Sequence, residues 1–283
     1  MRITVRGEGP PLVMIHGWAM HAGLFGALLD RLSGRRTLHL VDLPGHGRSR
    51  DDEARLDLES VVAAIAAQTP AAPWLGWSLG GLFALHAAAT RRGSIDALVM
   101  LCSTPCFVRS VDWPRGMDIE VFRRFEADLQ EDVRATVERF LALETLGCEQ
   151  AKANLRTLRA EAFAHGDPAP IALADGLRLL ETCDLRPMLP TLRVPSLWIG
   201  ARRDRLVDPR AVTAAAALAP NARALQFDSG HAPFLTHADA LADAVFAFLA
   251  DTEVGNVDRG EPVQDSVRGE PVEGPVRGEP VEP

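Results

Sequence analysis

The chain has 283 residues, 47% hydrophobic and 24% charged, enough for one sizeable core with room for an insertion. A formal net charge of -8 leaves no basic surplus for nucleic acid, and no run of 18 apolar residues offers a membrane span. Cys102, Cys106, Cys148 and Cys183 show no paired metal spacing, and no secretory signal precedes the first strand-like run, so a cytoplasmic protein without a disulfide framework is expected.

In chain order, short apolar runs at residues 3–5, 12–15, 37–41, 74–75, 97–101, 196–199 and 224–227 predict strands. Helical stretches separate several of them, including residues 79–90, 210–218 and 238–249. The alternation predicts an α/β fold, a mostly parallel sheet flanked by helices on both faces. Between 111 and 189 the strand pattern stops, and residues 118–129, 132–146, 149–164 and 169–182 read as amphipathic helices. The expected organisation is a core of residues 1–110 and 190–250, with 111–189 as a helical lid inserted between the sixth and seventh strands. Residues 251–283 hold nine acids against three arginines, a net of -6, and repeat an Arg-Gly-Glu-Pro-Val unit starting at Arg259, Arg268 and Arg277. Such a segment is expected to be a disordered acidic tail.

Gly76-Trp77-Ser78-Leu79-Gly80 fits G-x-S-x-G, the strand-to-helix turn that presents a nucleophilic serine. Glycine is favoured two residues either side because a side chain there would strike neighbouring backbone. A glycine-rich turn whose serine merely caps a helix is the plainer alternative. A nucleophilic serine needs a base, and the base an orienting acid. His231 lies in the loop after the strand at 224–227, where sites gather in open α/β sheets. His16, His21 and His46 precede the nucleophile, His165 lies in a polar loop, and His237 opens a helix. For the acid, Asp204 follows the strand at 196–199 directly. Asp208 competes, but Asp208-Pro209 reads as the start of a helix, and Asp228 is too close to His231 in sequence. The oxyanion would take N–H groups from Leu79, after the nucleophile, and from Trp18 in the His16-Gly17-Trp18 loop.

Lys152, Arg156 and Arg159 fall at i, i+4 and i+7 on one helical face, with Arg134 and Arg139 on the preceding helix. Residues 115–160 carry nine acids against eight bases, so a solvated charged face and a docking face for an acidic partner both fit.

On Leu38-His39-Leu40-Val41-Asp42-Leu43-Pro44-Gly45, Trp74-Leu75-Gly76-Trp77-Ser78-Leu79-Gly80-Gly81-Leu82, Thr136-Val137-Glu138-Arg139-Phe140-Leu141-Ala142-Leu143 and His231-Ala232-Pro233-Phe234, the chain resembles the carboxylesterases of biotin synthesis that cleave the methyl ester of pimeloyl-[acyl-carrier protein]. The resemblance spans about residues 10–250 and implies the α/β-hydrolase fold. It implies a Ser78, Asp204 and His231 triad, and substrate contacts at Trp18, Ser78, Leu79, Phe140, Leu141, Ala142, Leu143, Glu144 and His231. It further implies carrier docking on Arg139, Lys152 and Arg156, with no metal or organic cofactor and a monomeric enzyme. Two positions depart from the pattern: Ala135 stands where the family has an arginine, and His46 where it often has phenylalanine. A general short-chain carboxylesterase, or a non-enzymatic binding protein on the same fold, would share the core motifs.

Overall fold

The computed structural model describes residues 1–146 and 151–257. Seven strands form one sheet in the order β1-β3-β2-β4-β5-β6-β7. They are β1 (Arg2–Arg6), β2 (Pro11–Ile15), β3 (Thr37–Asp42), β4 (Ala72–Trp77), β5 (Ile95–Leu101), β6 (Ser196–Ala201) and β7 (Ala222–Phe227). All neighbours pair in parallel except β1, which runs antiparallel to β3 at the edge. Every residue of β4 and β6 is buried, the signature of strands covered on both faces. Their continuous apolar runs, rather than an alternating pattern, follow from that position.

The flanking helices are α1 (Ala27–Ser33), α2 (Leu58–Ala66), α3 (Leu79–Thr90), α8 (Pro209–Leu218) and α9 (Ala238–Val257). Helix α3 is apolar around most of its circumference and almost wholly buried, packing on β4 and β5 immediately behind the G-x-S-x-G turn. At the carboxyl terminus, α9 continues through residue 257, so the expected tail boundary at 251 falls inside a helix; the remainder of the expected disordered tail, residues 258–283, lies outside the described residues.

Four further helices, α4 (Ile119–Glu131), α5 (Val133–Thr145), α6 (Ala151–Ala162) and α7 (Pro170–Thr182), stand between β5 and β6. The insertion therefore follows the fifth strand of this sheet, not the sixth: the five strand-like runs before residue 111 are the five strands present, and the expected placement between a sixth and a seventh strand is corrected. Glu149, at the expected start of α6, lies outside the described residues. Asp118 and Asp132 cap α4 and α5, accepting the N–H groups of Glu120 and Ala135, and Pro170 occupies the first turn of α7. The insertion is fastened to the core through the buried Asp175 carboxylate on α7, which accepts from Arg55 and from Leu56 N–H, and through its main chain. Ala169 N–H donates to Gly45 O (2.8 Å), His21 Nε2–H to Glu161 O (2.7 Å) and Trp18 Nε1–H to Leu173 O (2.8 Å). Among the described residues, no helix is long and apolar enough to cross a membrane.

Candidate active site

Ser78 sits between the end of β4 and the start of α3 with φ 54° and ψ -120°, a left-handed conformation that a non-glycine residue adopts only when its surroundings impose it. The surroundings do so on three sides. Ser78 N–H donates to Leu101 O on β5 (3.0 Å), Ser103 Oγ donates to Ser78 O (2.7 Å), and Gly81 N–H reaches the same carbonyl (2.9 Å). The two motif glycines permit the turn. A Cβ at Gly76 would lie 2.4 Å from Gly80 O, and one at Gly80 only 2.3 Å from Ile15 O. The turn therefore closes because α3 starts against bare backbone of β2 and β4.

His231, in the loop after β7, is wholly buried, and its Nε2 lies 2.9 Å from Ser78 Oγ. Its other ring nitrogen, Nδ1, is 2.8 Å from Asp204 Oδ2. An ionised carboxylate only accepts, so Nδ1 carries the proton and Nε2 is left with a lone pair facing the serine hydroxyl. Asp204, in the loop after β6, is buried, and its second oxygen accepts the N–H groups of Leu206 (2.8 Å) and Val207 (3.0 Å). Both carboxylate oxygens are thus committed and the acid cannot swing away from the ring. Trp77 Nε1–H holds His231 O at 3.0 Å from the opposite side.

The competing acids are occupied elsewhere. Asp208 caps α8, accepting Arg210 N–H and pairing with its guanidinium, while exposed Asp228 pairs with Arg203. Cys102 Sγ lies with the Asp204 and His231 ligand atoms inside 4.8 Å, a grouping the sequence did not point to, because Cys102 reads there only as a packing residue at a strand end. Asp204 and His231 already engage each other, so the cluster is a triad with a buried thiol beside it.

The loop after β2 lies against the serine: a Cβ on Gly17 would come within 3.2 Å of Ser78 Cβ. Trp18 follows, wholly buried, its ring packed edge-on to Phe140 (4.8 Å between centroids) and Phe125 (6.2 Å). Among the described residues the main-chain N–H groups of Trp18 and Leu79 meet no hydrogen-bond acceptor. On α5, Phe140, Leu141 and Glu144 are buried, while Ala142 and Leu143 are half-buried. Glu144 is unusual: both carboxyl oxygens are buried without a hydrogen-bond partner. Burial, and then the Asp204 charge, hold its carboxyl well above the usual carboxylate range. Sequence pattern alone carries no signal for a lone buried acid on an amphipathic helix.

An apolar groove of about 640 Å³ opens between α4 and α5, with Val121, Phe125, Ala142 and Leu143 in its walls and Arg124 and Arg139 among its charged residues. Neither Ser78 nor His231 lines it; Phe125, which also packs on Trp18, joins groove to site. Arg139 is ion-paired with Asp128 (2.9 Å), whereas Lys152 and Arg156 stand exposed on α6. Arg134, beside Ala135, is engaged by Asp167 (2.7 Å) and stacked over Phe163.

The remaining histidines fall outside the triad. His16 and His46 are buried with ring centroids 5.3 Å apart, and His21 packs against His165 at 4.8 Å beneath α6. His237 hydrogen-bonds Thr236 Oγ1 just before α9.

Comparison with known proteins agrees with this geometry. The family model of the α/β hydrolase fold matches residues 10–238. A pimeloyl-[acyl-carrier protein] methyl ester esterase of Xanthomonas campestris is 57% identical over 251 residues, 88% of this chain and 99% of its own. Its counterpart from Stenotrophomonas maltophilia is 56% identical over 88% of this chain and 96% of its own. Among solved structures, an esterase from Exiguobacterium antarcticum superposes with a TM-score of 0.79 at 20% identity, covering 88% of this chain and 94% of its own. A bromoperoxidase from Bacillus anthracis superposes with a TM-score of 0.80 at 20% identity, covering 88% of this chain and 95% of its own; at such identities the likeness shows the fold alone. The chain belongs to the α/β-hydrolase family and, within it, to the pimeloyl-[acyl-carrier protein] methyl ester esterases.

Proposed function

We propose that this protein is a serine carboxylesterase that hydrolyses the methyl ester of pimeloyl-[acyl-carrier protein] to the carrier-bound acid and methanol, in biotin synthesis. The observation that carries the reading is the buried series Asp204–His231–Ser78, with hydrogen-bond distances of 2.8 Å and 2.9 Å. The high identity to esterases of that name supports the substrate.

The residues divide the reaction between them. His231 Nε2 takes the Ser78 proton as Oγ attacks the ester carbonyl, and Asp204 stabilises the imidazolium that forms. The Leu79 and Trp18 N–H groups take the oxyanion; losing one such donor typically costs about 3 kcal/mol of transition-state stabilisation. The tetrahedral intermediate collapses, the C–O bond to methanol breaks, and His231 returns the proton to the leaving methoxide. Water, deprotonated by the same nitrogen, then attacks the acyl-enzyme; Oγ leaves, recovers its proton and frees the carboxylate.

Residues 111–189 serve as the lid over the core of 1–110 and 190–250, with Trp18, Leu79, Phe140, Leu141, Ala142, Leu143 and Glu144 lining the acyl path and excluding water. The groove between α4 and α5 admits the chain, and Arg139, Lys152 and Arg156 meet the acidic carrier. Carrier binding supplies energy remote from the ester that positions it for attack. The reading includes a cytoplasmic monomer with no nucleic-acid partner, needing no metal or organic cofactor, in which the tail beyond residue 257 takes no part.

The test compares hydrolysis of the carrier-bound methyl ester by wild type and Ser78→Ala, with a free short-chain ester alongside. Ser78-dependent cleavage of the carrier-bound ester is the expected result. Cleavage of the free ester alone would make the protein a general esterase.

A further inference from the structure

Two cavities meet on α4. The apolar groove and a second cleft of about 760 Å³ share Asp118 and Val121 as common walls. The second cleft differs in chemistry: Arg109, Arg115, Arg202, Arg205 and Arg210 line it, against three carboxylates. Each of those carboxylates is already engaged. Asp118 caps α4, Asp204 holds His231 and two main-chain N–H groups, and Asp208 holds Arg210. Arg109, Arg115, Arg202 and Arg205 are exposed and close no ion pair among the described residues; Arg109 reaches only the Gly116 carbonyl, at 3.4 Å.

The contrast with the basic residues of α5 and α6 is what gives the cleft meaning. Arg134 pairs with Asp167, Arg139 with Asp128 and Arg159 with Glu138, so three of the five basic residues there are met by the protein's own acids, with Lys152 and Arg156 exposed beside them. In a chain of net charge -8, five guanidiniums against three carboxylates on one concave surface form a local positive field, with Arg115 acting on Asp208 and Arg202 on Asp228 without closing an ion pair.

We propose that this arginine cleft is a docking surface for the acidic protein that delivers the acyl chain, its carboxylates received by Arg109, Arg115, Arg202 and Arg205. The inference rests on the proposed function. A partner that threads a chain into the groove must sit at the groove's rim, and the α4 wall of that rim continues into the cleft. The guanidinium fork matches a carboxylate with two parallel hydrogen bonds. The partner then straddles the groove, meeting Arg139 on the α5 side and the cleft on the α4 side, so that two separate charge clusters fix its orientation as well as its affinity.

The test uses the full chain carrying Ser78→Ala, titrated calorimetrically with methyl-pimeloyl carrier protein at low and at high salt. Adding Arg109→Glu and Arg115→Glu, both remote in sequence from the triad, is expected to weaken binding by about tenfold or more at low salt and to flatten its salt dependence. Thermal melts establish that the variant folds; if it does not, the milder Arg109→Gln and Arg115→Gln pair is measured and a graded weakening is expected. Equal affinity with and without the substitutions overturns the cleft and leaves the functional reading standing. Failure of the parent Ser78→Ala chain to bind the carrier at all overturns both.

Discussion

The triad loops of the core and α5 of the insertion bury their carboxyl groups differently. In the core, each member of the triad is hydrogen-bonded on every side that matters: Asp204 by three donors, His231 through both ring nitrogens, and Ser78 through its main chain to β5. On α5, Glu144 keeps both carboxyl oxygens buried with no partner, while in the core only single ring nitrogens, such as those of His46 and of Trp74 on β4, are left that way among the described residues. A satisfied buried network rigidifies, whereas an unsatisfied group costs stability and marks a place kept polar for another reason. The triad, its polar atoms all met, is thus held in one geometry, whereas the α5 carboxyl is held by packing alone.

Three substitutions would break or sharpen that contrast. The largest effect belongs to Asp204→Asn. The amide cannot hold the histidine in the tautomer the serine requires, so kcat is expected to fall about 10⁴-fold with little change in the far-UV spectrum. An unchanged kcat would mean that the buried series does not act as a relay. Next comes Glu144→Gln. A carboxyl whose folded pKa is raised contributes stability that is present below its ordinary value of 4.5 and is lost as pH rises toward the folded value. At neutral pH the wild type carries that loss and the amide does not. Thermal melting of Glu144→Gln is expected to run higher than wild type at pH 7, by about 2–4 °C per kcal/mol recovered, and to depend less on pH. Melting curves that run parallel across pH would sink the idea. The smallest effect is expected from His46→Phe. Burial pushes His46 down to about 4 from 6.5, so its contribution is present above 6.5 and is lost as pH falls toward 4. Phenylalanine removes the titration but carries a larger ring, so the stability difference between variant and wild type should move in the variant's favour by about 2 kcal/mol from pH 7 to pH 5. His16, held down to about 3, keeps some acid sensitivity in either protein.

How much of this was legible in the chain depends on the range of the interactions involved. Ser78 and its glycines are a local device: the collision of a Gly80 Cβ with Ile15 O needs only one strand, one turn and one helix, and the motif records it. His231 and Asp204 were readable because strand ends in an α/β sheet converge on one edge. The helices at 118–129 and 169–182 were readable from their apolar periodicity and came out within two residues of α4 and α7. The five strands before the insertion were also readable as apolar runs. The insertion's place between a sixth and a seventh strand was not, because it came from the general pattern of such folds and not from this sequence. Nor was the pairing of Arg139 with Asp128, or the lack of any carboxylate for Arg109 and Arg205, since such pairings join residues brought together only by the packing of α4 on α5 and of the loops around β6. The partnerless carboxyl of Glu144 belongs to the same class: a helical pattern shows which face is buried, not what the opposite wall fails to offer.

The main-chain fastenings of the insertion have a consequence for how the protein can vary. Trp18, His21 and Gly45 on the core grip Leu173, Glu161 and Ala169 by atoms that every residue possesses, three carbonyl or amide groups rather than three side chains. On the insertion's side these three bonds do not depend on side-chain identity, although Leu173 is buried and Gly45 has no room for a Cβ against Ala172. Exposed faces of the insertion can therefore diverge in sequence while the bonds made by its main chain, and the Asp175 anchor, keep its seating on the core.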